Sequence, residues 1–194
     1  MSDSGSGITA IVLCGGGGRR FGGRDKPLEL LGGRPLVAHV LDRLDGQAES
    51  ILISANRNLS EYGRFGYPVV ADQIADRGPL AGIQAALAEA ETDWLFICPG
   101  DAPFLPEDLI VQLSDGFKAG AEIAIAHDGE RAQHLFMLLQ RSQAEGIGDY
   151  LEGGGRSVSG WLTEQSVVAV PIDDRLAFTN VNTEEELAQA ELLV

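Results

Sequence analysis

Residues 11–27 read IVLCGGGGRRFGGRDKP. The apolar run from Ile8 to Leu13 has the length of a buried strand, and it stops at glycine. Gly15 to Gly18 follow, with Arg19, Arg20, Arg24 and Lys26 close behind. Glycine tolerates positive φ and close approach of another backbone. Successive backbone N–H groups in such a turn can wrap an anion, and flanking cations can neutralise it. The stretch therefore predicts a polyphosphate cradle at the end of a strand. Its spacing excludes two familiar versions. A P-loop needs glycine followed directly by Lys and Ser or Thr, but Lys26 lies between Asp25 and Pro27. The dinucleotide fingerprint needs glycine at its first, third and sixth positions. Counting from Gly15 the sixth is Arg20, and from Gly16 it is Phe21.

The rest of the composition sharpens the contrast. The chain has 194 residues, 44% of them hydrophobic, which predicts a globular domain over residues 8–194. The polar start MSDSGSG, residues 1–7, is expected to be disordered and does not read as a secretory leader. No apolar run is long enough to span a bilayer, and two cysteines make no disulfide framework. These features predict a cytoplasmic protein with no membrane partner. Net charge is −15, from 14 Lys and Arg against 29 Asp and Glu. Such a chain repels nucleic acid as a polymer. It would also repel a nucleoside triphosphate unless cations were gathered locally. Arg19, Arg20, Arg24, Lys26 and Arg34 are gathered, opposed there only by Asp25 and Glu29.

Outward from the first strand, Ser50–Ser54, Pro68–Ala71, Trp94–Cys98, 121–126, Leu135–Leu139 and Val167–Val170 read as further strands. Between them, Leu36, Val40, Leu41 and Leu44 have helical spacing, with Pro35 in the first turn. Residues 79–90 repeat that spacing, as does a segment after Pro106 with Leu109, Leu113 and Phe117. A short helix is expected around Trp161, and Thr183 to Glu186 fits a capping box that opens a last helix. Strands alternating with helices predict a three-layer α/β sandwich on a mostly parallel central sheet. Ligands of such sheets bind beyond the carboxyl ends of the strands. The glycine stretch, Ser54, Asp72 and Asp101 all fall at predicted strand ends.

The pattern carried by Leu13, Gly15, Gly16, Arg20, Phe21, Gly22, Gly23, Asp25 and Lys26 resembles the signature loop of nucleotidyltransferases with the nucleotide-diphospho-sugar transferase fold. Within that group the chain looks like the molybdenum cofactor guanylyltransferase family, with Cys14 in place of the usual Ala and Phe21 in place of Met. The resemblance implies transfer of GMP from GTP to the terminal phosphate of molybdopterin, with release of pyrophosphate. It implies catalytic roles for Arg20, Lys26 and Asp101. Asp101, in the segment CPGDAPF, matches the family aspartate that holds Mg²⁺, the implied cofactor. Such an ion takes one or two carboxylates and completes its shell with substrate phosphates. Nucleotide contacts are implied for Leu13, Cys14, Gly15, Gly16, Lys26, Ser54, Asp72, Gly78 and Asp101. Asp72 could accept hydrogen bonds from the N1–H and exocyclic amine of guanine. Ser54 stands where the family often has Asn, and its shorter side chain reaches less far.

Acceptor contacts are implied for Arg156, Asn180 and Asn182; the last two sit in the segment FTNVNTEEEL. Arg131 and His134 partly match a further family segment, but Leu135 replaces its Pro. Three rivals stay open at this point. A cytidylyltransferase of the same cofactor would usually show Ala at position 15, where Gly15 leaves room for a purine. A sugar-1-phosphate nucleotidyltransferase would carry a different loop. A non-catalytic carrier of the cofactor would not need Arg20, Lys26 and Asp101 together. Transient contact with molybdenum insertion proteins or target apo-enzymes is the remaining partner expectation. His39, His127 and His134 lack zinc spacing, and Cys14 and Cys98 read as small buried residues.

Overall fold

The computed structural model describes residues 7–14, 25–71, 78–117, 120–174, 176–179, 181 and 183–193. Gly15, Gly16, Arg20, Asp72, Asn180 and Asn182 lie outside them, as do residues 1–6.

The first strand, β1 (Ile8–Leu13), is buried on both faces, as its unbroken apolar run requires. A short hairpin follows, β2 (Leu30–Leu31) and β3 (Arg34–Pro35), turned by Gly32 and Gly33, both at positive φ. Pro35 therefore sits in the hairpin ladder opposite Leu30 and caps the next helix, instead of forming its first turn. Helix α1 (Leu36–Leu44) leads to β4 (Ser50–Ser54), the short α2 (Leu59–Tyr62) and β5 (Val69–Val70). Then come α3 (Pro79–Leu87), β6 (Trp94–Pro99) and α4 (Leu109–Gly116). Phe117 lies just past α4 and stacks edge-on against Trp94, with ring centroids 4.9 Å apart. The second half adds β7 (Ile123–His127), β8 (Ala132–Gln140), α5 (Arg141–Glu145), α6 (Ile147–Glu152) and α7 (Val158–Leu162). Strand β9 (Val167–Pro171) and helix α8 (Glu184–Ala190) complete the chain. Thr183 Oγ1 accepts from Glu186 N at 3.1 Å, the side-chain bond expected of the capping box.

The main sheet has the order β5-β4-β1-β6-β8-β7-β9. All its strands run parallel except β8, which is antiparallel to both β6 and β7. Period-two alternation divides the sheet's side chains between two cores. Ala10, Val12, Cys14, Phe96 and Cys98 meet α1, α2 and α4 on one face. Ile11, Leu13, Leu95 and Ile97 meet α3, α5, α6 and α7 on the other. The result is the expected three-layer α/β sandwich. At the amino ends of the strands, buried Thr9 is satisfied by Ser50 Oγ at 2.8 Å and Thr92 Oγ1 at 2.7 Å.

Because β8 reverses direction, the β7–β8 turn lies on the same sheet border as the carboxyl ends of β1, β4 and β6. Asp128 organises that turn. Its Oδ1 accepts from Glu130 N and Arg131 N, each at 2.8 Å. The Arg131 and Glu130 amides hold its pKa down at about 2, against an ordinary 3.8. A depressed folded-state value means that this group stabilises the fold above 3.8 and that the contribution is lost as pH falls through about 2. Asp128→Asn should therefore lower the thermal midpoint at neutral pH. The gap to wild type should close in an acid titration as the solution approaches pH 2; a constant gap would refute the assignment.

Candidate active site

Three backbone hydrogen bonds tie the central strand ends together. Cys14 N donates to Ser54 O at 2.7 Å, Gly100 N to Leu13 O at 2.9 Å, and Ala55 N to Val70 O at 2.9 Å. Leu13 and Cys14 are both buried, on opposite faces of the sheet. Any contact they make with a ligand must come from backbone atoms. Burial, then the neighbouring Cys98 and Asp25, pushes the Cys14 thiol well above its ordinary range, so it is neutral and no nucleophile.

Lys26 opens a single 3₁₀ turn, Lys26–Leu28, whose Pro27 is buried. Leu28 N bonds to Asp25 O and Glu29 N to Lys26 O, both at 2.9 Å, so the backbone beneath the ammonium is fixed. Asp101 stands just past β6 and is half-buried. Burial pushes its carboxyl pKa up, and the Lys26 ammonium acts against that shift. The Lys26 ammonium is thus near enough to act on the carboxylate that follows β6. Asp101 O also accepts from Val181 N at 3.2 Å. Val181 is the residue between Asn180 and Asn182 in the sequence.

Other expected residues divide. Gly78, at φ 73 and ψ −167, occupies a backbone region that disfavours any L side chain, and it starts α3 with Pro79 behind it. A Cβ on Gly78 would stand 3.5 Å from Arg156 O, so the nucleotide and acceptor candidates Gly78 and Arg156 are neighbours. The Arg156 side chain is exposed. Ser54 is 4% exposed and turned onto α3; a Cβ on Gly82 would come within 2.5 Å of its Oγ. Its hydroxyl is thus pressed against the helix, not presented at the strand ends. The Arg34 guanidinium pairs with Asp42 at 2.7 Å on the solvent side. Arg131 lies in the β7–β8 turn, 3.8 Å from Asp128, and His134 is exposed on β8.

Two contributors were invisible to motif reading. Gly100 is buried between β6 and Asp101, and a Cβ there would stand 2.6 Å from Cys14 Sγ, 3.3 Å from Pro27 Cβ and 3.4 Å from Val12 Cγ1. Only hydrogen at this position lets the Pro27 turn close over β1 and β6. Its signal was present in the sequence: a lone glycine between a strand and a carboxylate marks close backbone approach. Asn58 is the second. Its Nδ2 donates to Asp25 Oδ2 at 3.0 Å across 33 residues, and no local pattern announces such a bond.

Among the described residues, no three or more His, Cys, Asp or Glu side chains gather to hold a metal. Asp101 supplies a hard oxygen ligand at this border, just past β6. That donor set fits Mg²⁺, which binds through few carboxylates and fills its shell with substrate phosphates and water. It does not fit a metal caged entirely by protein.

A mostly parallel seven-stranded sheet with helices on both faces defines the class, the nucleotide-diphospho-sugar transferase fold. The chain belongs to the MobA-like NTP transferase domain family, whose model matches residues 10–167. It is 44% identical to a molybdenum cofactor guanylyltransferase of Cupriavidus metallidurans, over 93% of this chain and 92% of that one. It is 43% identical to the protein of the same name from Ralstonia pickettii, over 95% of this chain and 96% of that one. Among solved structures it resembles molybdopterin-guanine dinucleotide biosynthesis protein A of Archaeoglobus fulgidus, with a TM-score of 0.79 and 25% identity over 96% of this chain and 97% of that one. A 4-diphosphocytidyl-2C-methyl-D-erythritol synthase from Anaerococcus prevotii shares the fold at a TM-score of 0.75 and 13% identity, over 97% of this chain and 96% of that one. Among the described residues, no helix is long and apolar enough to cross a membrane.

Proposed function

We propose that this chain transfers GMP from GTP to the terminal phosphate of molybdopterin, forming the guanine dinucleotide cofactor and releasing pyrophosphate. The observation that carries this reading is the Lys26 ammonium acting on the carboxylate that follows β6, in a chain otherwise strongly acidic. Relatives named molybdenum cofactor guanylyltransferase, similar over nearly their whole length, support the same donor and acceptor.

The acceptor phosphate is already anionic, so attack on the α-phosphorus needs no general base. Catalysis then consists of alignment and charge neutralisation. Lys26 binds the β- and γ-phosphates and stabilises the pyrophosphate as it leaves, with Arg20 assigned the same task. Mg²⁺ held on Asp101 would supply further neutralisation of the triphosphate. Asp72 discriminates guanine through its Watson–Crick edge, beside backbone groups of residues 13–16. Gly78 lets the start of α3 approach the nucleotide. Arg156, Asn180 and Asn182 contact the acceptor; Arg156 adjoins Gly78 and Val181 is tied to Asp101.

The test is pyrophosphate release with Mg²⁺, molybdenum-loaded molybdopterin and either GTP or CTP. Release with GTP and little with CTP is expected. Release with CTP alone would overturn the base assignment, and release with neither would favour a carrier that binds the cofactor without chemistry. Omitting Mg²⁺ should abolish release.

A further inference from the structure

The segment between β4 and α2 reaches the same strand ends without belonging to any motif of the sequence. Asn58 there holds φ 52 and ψ 31, and it is the one non-glycine residue at positive φ among the described residues. Asn tolerates the left-handed region better than most residues, yet such outliers are uncommon and concentrate at functional sites. The side chain shows what the backbone conformation serves: its amide meets the Asp25 carboxylate at 3.0 Å. Four residues later, Tyr62 is fully buried, and its hydroxyl has no hydrogen-bond partner among the described residues. A buried hydroxyl left unpaired is costly, and native structures rarely keep one without a use. Cys14 and Asp25 lie beside it; burial first, and then these two groups, raises its pKa.

Asp25 immediately precedes Lys26, and its carbonyl accepts the first hydrogen bond of the turn that carries the lysine. We propose that Asn58 and Tyr62 are positioning residues that clamp the Asp25 carboxylate and so aim Lys26 at the triphosphate. Asn58 supplies the bond already made. Tyr62 supplies a second O–H donor, set beside the same carboxylate. Neither side chain touches the reacting atoms. The proposal rests on Lys26 being a triphosphate ligand.

The experiment compares kcat, KM for GTP and calorimetric GTP affinity in wild type and five variants. Asn58→Ala removes both the amide and the residue type suited to its backbone. Asn58→Gly keeps the backbone conformation and removes only the amide. Both should weaken GTP binding about tenfold, the equivalent of one hydrogen bond to a charged group. Asn58→Gly should do so with a near-wild-type thermal midpoint. Asp25→Asn should be impaired alone, and Asp25→Asn/Asn58→Asp, which restores the bond with donor and acceptor exchanged, should recover most of the affinity. Tyr62→Phe should weaken GTP binding without lowering the midpoint, since it removes a hydroxyl that is unpaired without ligand. Wild-type GTP binding in Asn58→Gly would overturn the clamp. So would failure of the exchanged pair to recover, because Asp25 would then act through its own charge. A wild-type protein that binds GTP but releases no pyrophosphate would overturn the proposed reaction and leave the affinity comparison to judge the clamp. A protein that binds no GTP would overturn both.

Discussion

Lys26→Ala should lower kcat for GMP transfer by about 10²–10³-fold, the usual loss when one preorganised charge on a developing anion is removed. Asp101→Asn should reduce turnover at least as far, because it removes the carboxylate assigned to the metal. The two variants should differ in stability, and that difference makes the pair diagnostic. The Asp101 carboxylate is held at a cost: burial raises its pKa above the ordinary 3.8, only partly offset by Lys26. The folded protein therefore binds this proton more tightly than the unfolded chain. The stabilisation is fully present below 3.8 and is lost as pH rises through the raised value. In metal-free buffer at neutral pH, Asp101→Asn should consequently melt higher than wild type, while Lys26→Ala should melt lower. Thermal melts with chelator, set beside initial rates of pyrophosphate release, check both halves. An Asp101→Asn protein that turns over normally, or that melts below wild type in chelator, would sink this account.

The second large effect is expected at Gly100, a residue that binds nothing. A methyl group there would overlap Cys14 Sγ at 2.6 Å and press on Pro27 at 3.3 Å. Overpacking of a well-filled core costs about 1–3 kcal/mol. Pro27 is the residue next to Lys26, so relief of the overlap moves the lysine's turn. Displacement of a catalytic group by an ångström can cost about 10²-fold in rate. Gly100→Ala should therefore lose both stability and turnover. Gly100→Ala/Cys14→Ala, which removes the sulfur in the way, should regain most of the stability. Equal midpoints and rates in Gly100→Ala and wild type would show that the cradle has slack.

The parts of this molecule that could be read from sequence share a physical basis. The apolar run Ile8–Leu13 and the helical spacing of Leu36, Val40 and Leu44 are local, and their periods declare which element buries them. The parallel pairing of β1 with β6 follows from alternation of strands and helices. The direction of β8 does not, because Leu135 to Leu139 carries the same apolar pattern whichever way it runs. Helices α2, α5 and α6 were missed for a related reason. They are four to six residues long, too short to show a period. Pro35 was placed in a helix because its ring suits a first turn, but its pairing with Leu30 prevails. At the site, Lys26 and Asp101 were legible because their residue types announce phosphate chemistry. Arg34 has a partner that charge counts ignore, since Asp42 pairs with it at the surface. Gly100, Asn58 and Tyr62 act through close approach and through bonds between distant segments. Those are properties of the assembled sheet, and of the three only Gly100, a lone glycine between a strand and a carboxylate, leaves a local mark in the sequence.

The reversed strand has a consequence for how the chain is made. Strands β1, β4, β5 and β6 are complete once residue 99 has left the ribosome, and their parallel half-sheet can assemble in order. The flank of β6 then stays open, because its neighbour β8 is synthesised after β7, the strand that finally lies beyond it. The nascent protein must carry an unpaired apolar strand until residue 140 is available, and such edges recruit other chains. The β7–β8 hairpin fills that flank, and Asp128 bonds within its turn. The flank that stays open longest during synthesis is therefore closed by the hairpin whose turn Asp128 holds.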